Sequence, residues 1–195
     1  LKAGARQVSV IEEPMAAAIG AGLPISEPTG SMIVDIGGGT AEVAVISLSG
    51  IVASRSVRCA GDALDQSIIA FIKRKYNLLV GERTAECIKM NVGSALTDLE
   101  NPPADFIVHG PNVMTALPME VPVSYQEISH CIEKSISKIE AAVLGALEQT
   151  PPELYADIVR NGIYLAGGGA LLLGLDKRLT DKIAVSYTHL RAHET

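Results

Sequence analysis

Three consecutive glycines follow an aspartate early in the chain, and a threonine follows the glycines. The residues are Asp35, Gly37, Gly38, Gly39 and Thr40. A backbone without Cβ atoms can bend tightly and bring its N–H groups against a phosphate. A carboxylate at the end of a strand can hold Mg²⁺ directly or through water. Asp35 could instead cap the turn by bonding its own backbone, but the glycines and the Thr40 hydroxyl that follow it favour phosphate binding.

A second glycine cluster occupies residues 167–170. It does not fit a dinucleotide-binding G-x-G-x-x-G motif, because Leu172 stands where the last glycine is required. It does not fit a Walker A loop either, because Leu175 stands where lysine is required. Taken alone, the second cluster could have a purely structural role, in which its glycines allow the start of a helix to pack closely against a strand. Together with the first cluster, it suggests a nucleotide held between the two.

Glu13 precedes a proline at the start of an alanine-rich helix. It could position and polarise a water for phosphoanhydride hydrolysis, a reaction in which the protein mostly orients groups and stabilises charge. It could equally do no more than complement the positive end of the helix. Glu12 competes for either role, because either carboxylate could face the site.

The amino-acid composition of the chain limits the kinds of function that it can have. The chain has 195 residues, 48% of them hydrophobic, and a formal net charge of -6, so it can bury a substantial core. Acidic and basic residues are interspersed, which excludes nucleic acid as the main partner. The three cysteines, Cys59, Cys87 and Cys131, form no CxxC pair and are odd in number, which indicates a reducing compartment such as the cytoplasm.

The ends of the chain are also informative. There is no initiator Met, no signal-peptide pattern and no apolar run of about 18 residues, so we expect the chain to begin inside a longer one. Residues 185–195 continue no apolar period and are predicted to be foreign or disordered. His189 and His193 in this tail are four residues apart, but we interpret the pair as incidental rather than as a metal site.

Periodicity predicts strands and helices in alternation. A capping-box signature, Ser124 with Glu127, precedes a long helix that Pro151 stops, and Asp62 is a plausible N-cap for another. The middle of the chain, at 93–123, is predicted to be a small sheet with loops. Strands are predicted at 7–11, 31–36, 42–48, 51–58 and 162–166, and helices at 15–23, 62–76, 84–92, 124–150 and 171–183. The order indicates an α/β layer fold with an inserted lobe.

Several longer stretches carry a family resemblance. The runs at 11–23, 35–48 and 167–172, with shorter agreements such as Ala60-Gly61-Asp62 and Tyr76-Asn77-Leu78, resemble the MreB/Mbl family of bacterial actin homologues over about residues 1–183. The resemblance implies an actin/Hsp70-type ATPase core of ribonuclease-H-like α/β fold with a small inserted α+β lobe. It divides the chain into 1–80 and 126–184 as the core (subdomain IIA), 81–125 as the lobe (subdomain IIB) and 185–195 as a tail outside the family.

The resemblance also implies cofactors and site residues. It implies ATP and Mg²⁺, with Asp35 binding the metal through water, and with Glu13 and Thr40 positioning the hydrolytic water. The remaining implied nucleotide ligands form three groups. The first is a phosphate loop, the second is a segment of four residues on the lobe, and the third is an adenosine loop. They are Gly37, Gly38, Gly39 and Thr40; Glu86, Cys87, Ile88 and Lys89; and Gly167, Gly168, Gly169 and Ala170.

The implied protein is a cytoskeletal ATPase that forms filaments with itself. It would lie in the cytoplasm, associate with the inner membrane surface as filaments, work with cell-wall elongation proteins and maintain rod shape. The family's first phosphate loop is not found here, so we expect half of the cleft and ATP hydrolysis only by an intact protein. Two alternatives stay open at this point: another ATPase or kinase of the actin/Hsp70/sugar-kinase superfold, and a structural module that binds no nucleotide.

Overall fold

The computed structural model describes residues 4, 6–183 and 187–189 of the chain. These residues form seven strands, six α-helices and one 3-10 helix, Gly168–Leu171. The strands are β1 Ser31–Ile36, β2 Ala41–Ser47, β3 Gly50–Val57, β4 Phe106–Pro111, β5 Pro118–Val123, β6 Ile163–Ala166 and β7 Tyr187–His189. The helices are α1 Glu13–Gly20, α2 Gly61–Tyr76, α3 Glu82–Val92, α4 Tyr125–Glu148, α5 Pro152–Asn161 and α6 Leu175–Ile183.

The main sheet brings the two glycine clusters to the same edge. Its strand order is β3-β2-β1-β6-β7, with β1, β2 and β3 antiparallel and β6 parallel to both β1 and β7. Asp35 pairs with Ala166 across β1 and β6. Since the carboxyl ends of parallel strands meet at one edge, the turn after β1 and the cluster after β6 leave the sheet side by side. This edge is where a ligand of an α/β sheet is expected.

Alternation along β1 separates two hydrophobic cores. Met32, Val34 and Ile36 join the larger core, which contains residues of α2 and α4, while Ile33 joins a smaller core with Ala18 of α1. Both faces of the strand are therefore buried, as its near-continuous apolar sequence predicts. By the same alternation Asp35 lies on the α1 face.

The long helix α4 begins as its sequence predicts. The Ser124 backbone N–H donates to Glu127 Oε2 at 2.9 Å and the Glu127 N–H donates to Ser124 Oγ at 3.4 Å, which is a complete capping box. The other proposed cap is wrong: α2 has Ala60 at its N-cap, and Asp62 lies inside the first turn. The Gly61 and Asp62 N–H groups donate to the carbonyls of Gly37 and Gly38 at 3.1 and 2.8 Å, so backbone oxygens from the first glycine turn replace a side-chain cap.

Residues 81–125, predicted as the inserted lobe, contain α3 and a separate antiparallel sheet of β4 and β5. The lobe shares the larger hydrophobic core, to which it contributes Ile88, Val108 and Val121. It is also joined to the segment after the second glycine cluster, because the Ala95 N–H donates to the Leu173 carbonyl at 2.8 Å. The lobe therefore extends the core over the sheet edge where the glycine clusters lie.

Three further predictions differ from the structure. Residues 7–11 form no strand; Val8, Val10 and Ile11 are exposed, and no strand in the described part of the chain pairs with them. A helix that was not predicted, α5, begins at Pro152 directly after the proline that stops α4, since proline is well tolerated in a first helical turn. The helix predicted at 171–183 begins at Leu175, because the 3-10 helix ends at Leu171 and Leu172 after it is extended.

The prediction for the tail is corrected in part. Tyr187–His189 form β7, whose backbone pairs with the otherwise open edge of β6. Residues 184–186 and 190–195, including His193, lie outside the described residues. No helix within the described ranges is both long and apolar enough to cross a bilayer.

Candidate functional site

A cleft of about 400 Å³ opens at the sheet edge defined by the two glycine clusters. Three segments form its walls: the first glycine turn with the start of α2, one face of α3, and the chain from Gly168 to Leu173. Of the residues implied by the family resemblance, six line it: Gly37, Gly38, Glu86, Lys89, Gly168 and Gly169. The structure thus brings together parts of the chain up to about 130 positions apart in sequence.

Cys87 and Ile88, which the family resemblance implies as ligands, do not line the cleft. Ile88 is fully buried in the larger core, and Cys87 is exposed. The reason is helical geometry: Glu86 and Lys89 are three residues apart and share a face of α3, whereas the two residues between them are turned away from it. The same spacing identifies two cleft residues that the motif comparison missed, Met90 and Gly93.

The side chain of Lys89 spans from the lobe to the start of α2. Its Nζ donates to Asp65 Oδ2 at 2.9 Å and to the Gly61 carbonyl at 3.4 Å. Asp65 also lines the cleft, and its Oδ1 atom is buried without a hydrogen-bond partner among the described residues. Burial raises the pKa of Asp65, and the hydrogen bond and charge of Lys89 oppose that rise. Sequence alone gave no signal for Asp65, because its partner is 24 residues away on another helix.

Asp35 lies beside the second glycine cluster rather than in the cleft lining. A Cβ atom on Gly167 would lie 2.5 Å from Asp35 Oδ1 and 2.4 Å from the Ile36 carbonyl oxygen. Burial is the main cause that raises the pKa of Asp35, and the negative charge of Glu13 raises it further. The charge of Glu13 thus acts on Asp35 on the α1 face of the sheet, an arrangement that a cation would stabilise.

Thr40 completes the first glycine turn. Its carbonyl accepts a hydrogen bond from the Gly37 N–H at 3.0 Å, so the turn closes tightly between β1 and β2. Neither Thr40, Gly39 nor Glu13 contacts the cleft; Glu13 instead lines a shallow groove with Glu42 and Arg55.

The positions of the second glycine cluster differ in how much room they leave for a side chain. Gly167 has a φ of +80°, and a Cβ on Gly169 would lie 2.3 Å from Ile36 Cγ2. Those two glycines serve the close strand packing that was the alternative to ligand binding. At Gly168, however, a Cβ would meet nothing within 4 Å, and Ala170 is buried. Of this cluster, Gly168 is therefore the residue whose missing side chain keeps space open.

The cleft can accept a ligand with one anionic and one apolar end. Backbone groups of Gly37 and Gly38 lie at one side, and Met90 with Leu171 to Leu173 supplies apolar surface at another. A nucleoside polyphosphate has this chemistry. Within the described ranges no three His, Cys, Asp or Glu side chains are grouped to hold a metal ion.

Comparison with known proteins gives consistent matches. The family model described as MreB/Mbl protein matches residues 1–192. The cell shape-determining protein MreB of Escherichia coli (strain K12) is 51% identical over 183 residues, which are 94% of this chain and 52% of that protein. The cell shape-determining protein Mbl of Bacillus subtilis (strain 168) is 45% identical over 184 residues, 94% of this chain and 55% of that protein. The chain spans about half the length of these curated relatives.

Solved structures agree on the architecture. The crystal structure of MreB5 of Spiroplasma citri bound to ADP matches with a TM-score of 0.91 and 40% identity, and covers 96% of this chain and 56% of that one. The same protein bound to AMPPNP matches with a TM-score of 0.90. The MamK double helical filament matches at 21% identity with a TM-score of 0.75, over 94% of this chain and 55% of that one, which concerns the fold alone. The fold is the α/β actin-like ATPase fold.

Proposed function

The chain belongs to the MreB/Mbl family, and we propose that it forms one wall of an ATP site in an actin-like cytoskeletal protein. That protein polymerises into filaments and maintains rod shape by organising cell-wall synthesis. The observation that carries the proposal is the cleft itself, in which six residues from three distant segments meet at the carboxyl ends of β1 and β6. A 40% identical relative is bound to AMPPNP and to ADP in crystals, which supports the choice of nucleotide.

The glycine turn after β1 would bind the phosphates. The backbone N–H groups of Gly38 and Gly39 and the hydroxyl of Thr40 are the donors available there. Gly37, whose own N–H donates to the Thr40 carbonyl, would shape the turn around the phosphates. Magnesium would neutralise the phosphate charge when bound, and Asp35 would orient its water ligands. The raised pKa of Asp35 fits this role, because a carboxylate penalised by burial and by Glu13 gains most from a nearby cation.

Glu13 and Thr40 would orient the attacking water. Glu13 acts electrostatically on Asp35 from the first turn of α1, so it is the better candidate than Glu12, which lies at the N-cap. Phosphoanhydride hydrolysis depends mainly on orientation and charge stabilisation, and both can be supplied from this edge. We expect turnover only when the opposite wall of the cleft is also present.

The nucleoside would lie between α3 and the second glycine cluster. Glu86 and Lys89 would face the ribose, and the apolar surface of Met90 and Leu172 would cover the base. Gly168 would leave room for the nucleotide, while Gly167, Gly169 and Ala170 shape the backbone around it. Cys87 and Ile88 take no part in this assignment.

The proposed binding partners are further copies of the same protein, which assemble with it into filaments. By family membership we also propose association of those filaments with the inner membrane surface from the cytoplasmic side, and contact with cell-wall elongation proteins. The alternative of a sugar kinase or Hsp70-like ATPase is not supported by the relatives described above, which are cell shape-determining proteins.

The test uses the protein as its gene encodes it. Calorimetry should detect ATP binding, and ATP should increase the fraction that sediments as polymer. Gly168→Leu should abolish both, because the side chain fills the cleft without meeting another atom within 4 Å of its Cβ. Gly20→Leu, at another glycine with free space around it, is the matched control and should behave as wild type. Wild-type protein that transfers the γ-phosphate to a sugar or acyl acceptor, and does not polymerise, would contradict the proposal.

A further inference from the structure

The salt bridge between Asp65 and Lys89 has an unusual location for a structural ion pair. It joins α2 of the core to α3 of the lobe across the wall of the cleft, and the two side chains are only 12% and 16% exposed. Withdrawing two charges from water costs about as much free energy as their attraction returns, so such a pair contributes little to stability by itself. A role in ligand binding accounts better for its presence in the cleft wall.

Lys89 has one N–H donor that bonds to none of the residues described in the structure. An ammonium group has three N–H donors; Asp65 Oδ2 accepts one and the Gly61 carbonyl accepts another. Glu86 lies one helical turn earlier on the same face of α3 and also lines the cleft. The wall therefore presents a lysine donor beside a carboxylate acceptor.

Asp65 also sets the charge of this wall. An unpaired lysine on its flexible stem would be drawn towards the phosphates of a bound nucleotide. Paired with Asp65, the ammonium has a fixed direction, and its charge is balanced locally. A donor of this kind suits an uncharged oxygen, and two neighbouring hydroxyl groups offer both an acceptor for Lys89 and a donor for Glu86.

We propose that Asp65 is a positioning residue, which holds Lys89 so that Lys89 and Glu86 together hydrogen-bond the vicinal hydroxyls of a ribose. This role rests on the proposed function, because it requires that a nucleotide occupies the cleft. Although Asp65 lines the cleft, both of its carboxylate oxygens are turned from the ligand in this assignment, since Oδ2 is engaged by Lys89 and Oδ1 is buried. Its effect on binding must therefore pass through Lys89.

The experiment compares ATP with 2′-deoxy-ATP and 3′-deoxy-ATP by calorimetry on the protein as its gene encodes it. Wild type should bind ATP about tenfold more tightly than at least one deoxy analogue, the expected value of a hydrogen bond to a charged group. Asp65→Asn should still bind ATP but lose this preference. Glu127→Gln removes a different salt bridge between α2 and α4, to Lys75, and as the matched control should keep the wild-type ratio.

A second comparison separates positioning from mere structural support. Lys89→Met should lose the preference, and adding Asp65→Asn to it should change the ratio no further, because Asp65 then has no ammonium to hold. The double variant removes both charges of the Asp65–Lys89 pair together, so it can be measured even where a single variant, which leaves one of them unpaired, folds poorly.

The possible failures are distinct. An Asp65→Asn variant with the wild-type ratio, or a wild type without any preference among the three nucleotides, overturns the role of Asp65 while the ATP site stands. A folded wild type that binds none of the three overturns the proposed function and this inference with it.

Discussion

A Cβ atom added at Gly167 would lie 2.5 Å from Asp35 Oδ1, so the second glycine cluster is in direct contact with the aspartate that leads the first. The contact follows from the parallel pairing of β1 and β6, which sets Asp35 opposite Ala166. The two clusters are therefore one structural unit, and a change in either is expected to disturb the other.

Gly167→Ala should lower the free energy of unfolding by about 2–4 kcal/mol. The residue has a φ of +80°, and its new Cβ would lie 2.4 Å from the Ile36 carbonyl oxygen, which cannot move without distorting β1. Urea denaturation followed by circular dichroism measures the loss. Gly168→Ala is the control, because a Cβ there meets nothing within 4 Å, and should change stability by less than about 0.5 kcal/mol. Equal losses in the two variants would show that the contact with Asp35 and Ile36 is unimportant.

Features that depend on neighbouring residues could be predicted from the sequence. Features that depend on contacts between residues far apart in sequence could not. The capping box at Ser124 and Glu127 depends on neighbours three residues apart, and it was predicted correctly. The cap of α2 was wrongly assigned to Asp62, because its first N–H groups bond to Gly37 and Gly38, which no local pattern indicates.

The candidate site shows the same division. Helical spacing from Glu86 and Lys89 could have shown that Cys87 and Ile88 lie off the face of α3 that lines the cleft and that Met90 lies on it. Asp65 could not have been found in this way, because its place in the cleft depends on how α2 packs against α3.

Asp35→Asn should raise the free energy of unfolding at pH 7. Burial first, and the charge of Glu13 second, raise the pKa of Asp35 above its ordinary value of 3.8. A carboxyl group whose pKa is higher in the folded than in the unfolded state destabilises the fold as pH rises through that interval. The gain from asparagine should thus be complete above the folded-state pKa and absent below pH 3.8, where the carboxyl is protonated in both states. Thermal unfolding from pH 3 to 7 measures it.

The same variant should weaken the dependence of ATP binding on magnesium. The amide of asparagine carries no charge, so it orients the waters of a metal ion less strongly than a carboxylate does. Calorimetric titrations with and without Mg²⁺ should therefore differ less for Asp35→Asn than for wild type. Glu42→Gln is the control, since Glu42 is the cross-strand neighbour of Asp35. An unchanged magnesium effect in Asp35→Asn would argue that Asp35 only shapes the turn.

Glu127→Gln should lower stability at neutral pH but not at low pH. Burial acts to raise the pKa of Glu127, but hydrogen bonds from Lys75, the Ser124 backbone and Tyr76 outweigh it and lower the pKa to about 2. This stabilisation is present above the ordinary value of 4.5 and is lost as pH falls towards 2. Because Lys75 is 48% exposed and Glu127 is 21% exposed, solvent screens the pair, and we expect a difference of only about 1 kcal/mol at pH 7.

The matched control for that pH profile is Glu120→Gln. Glu120 pairs with His109 at 3.5 Å, and both side chains are 71% exposed, so its removal should leave the profile between pH 2 and 5 unchanged. If Glu127→Gln instead stays equally destabilised at pH 2, the loss comes from the shape of the cap and not from its charge.

Arg178 should be a costly charge to remove, because its side chain is only 12% exposed and pairs with two carboxylates. It extends from α6 to Glu140 at 2.5 Å and Glu133 at 2.6 Å on α4, and donates to the Ala95 carbonyl at 3.0 Å. Arg178→Met leaves Glu140, which is only 7% exposed, without its cation, and should cost about 3 kcal/mol. The free energy of unfolding from urea denaturation measures this cost.

Two further variants separate the buried charge from the side chain. Lys177→Met removes an exposed pair with Glu100 and should cost less than about 1 kcal/mol. Adding Glu140→Gln to Arg178→Met should recover part of the loss, because no unpaired carboxylate then remains under α6. Since Ala95 also holds the Leu173 carbonyl beside the cleft, the single variant should bind ATP more weakly than Lys177→Met does. Equal ATP affinity in the two variants would show that the cleft wall is fixed without Arg178.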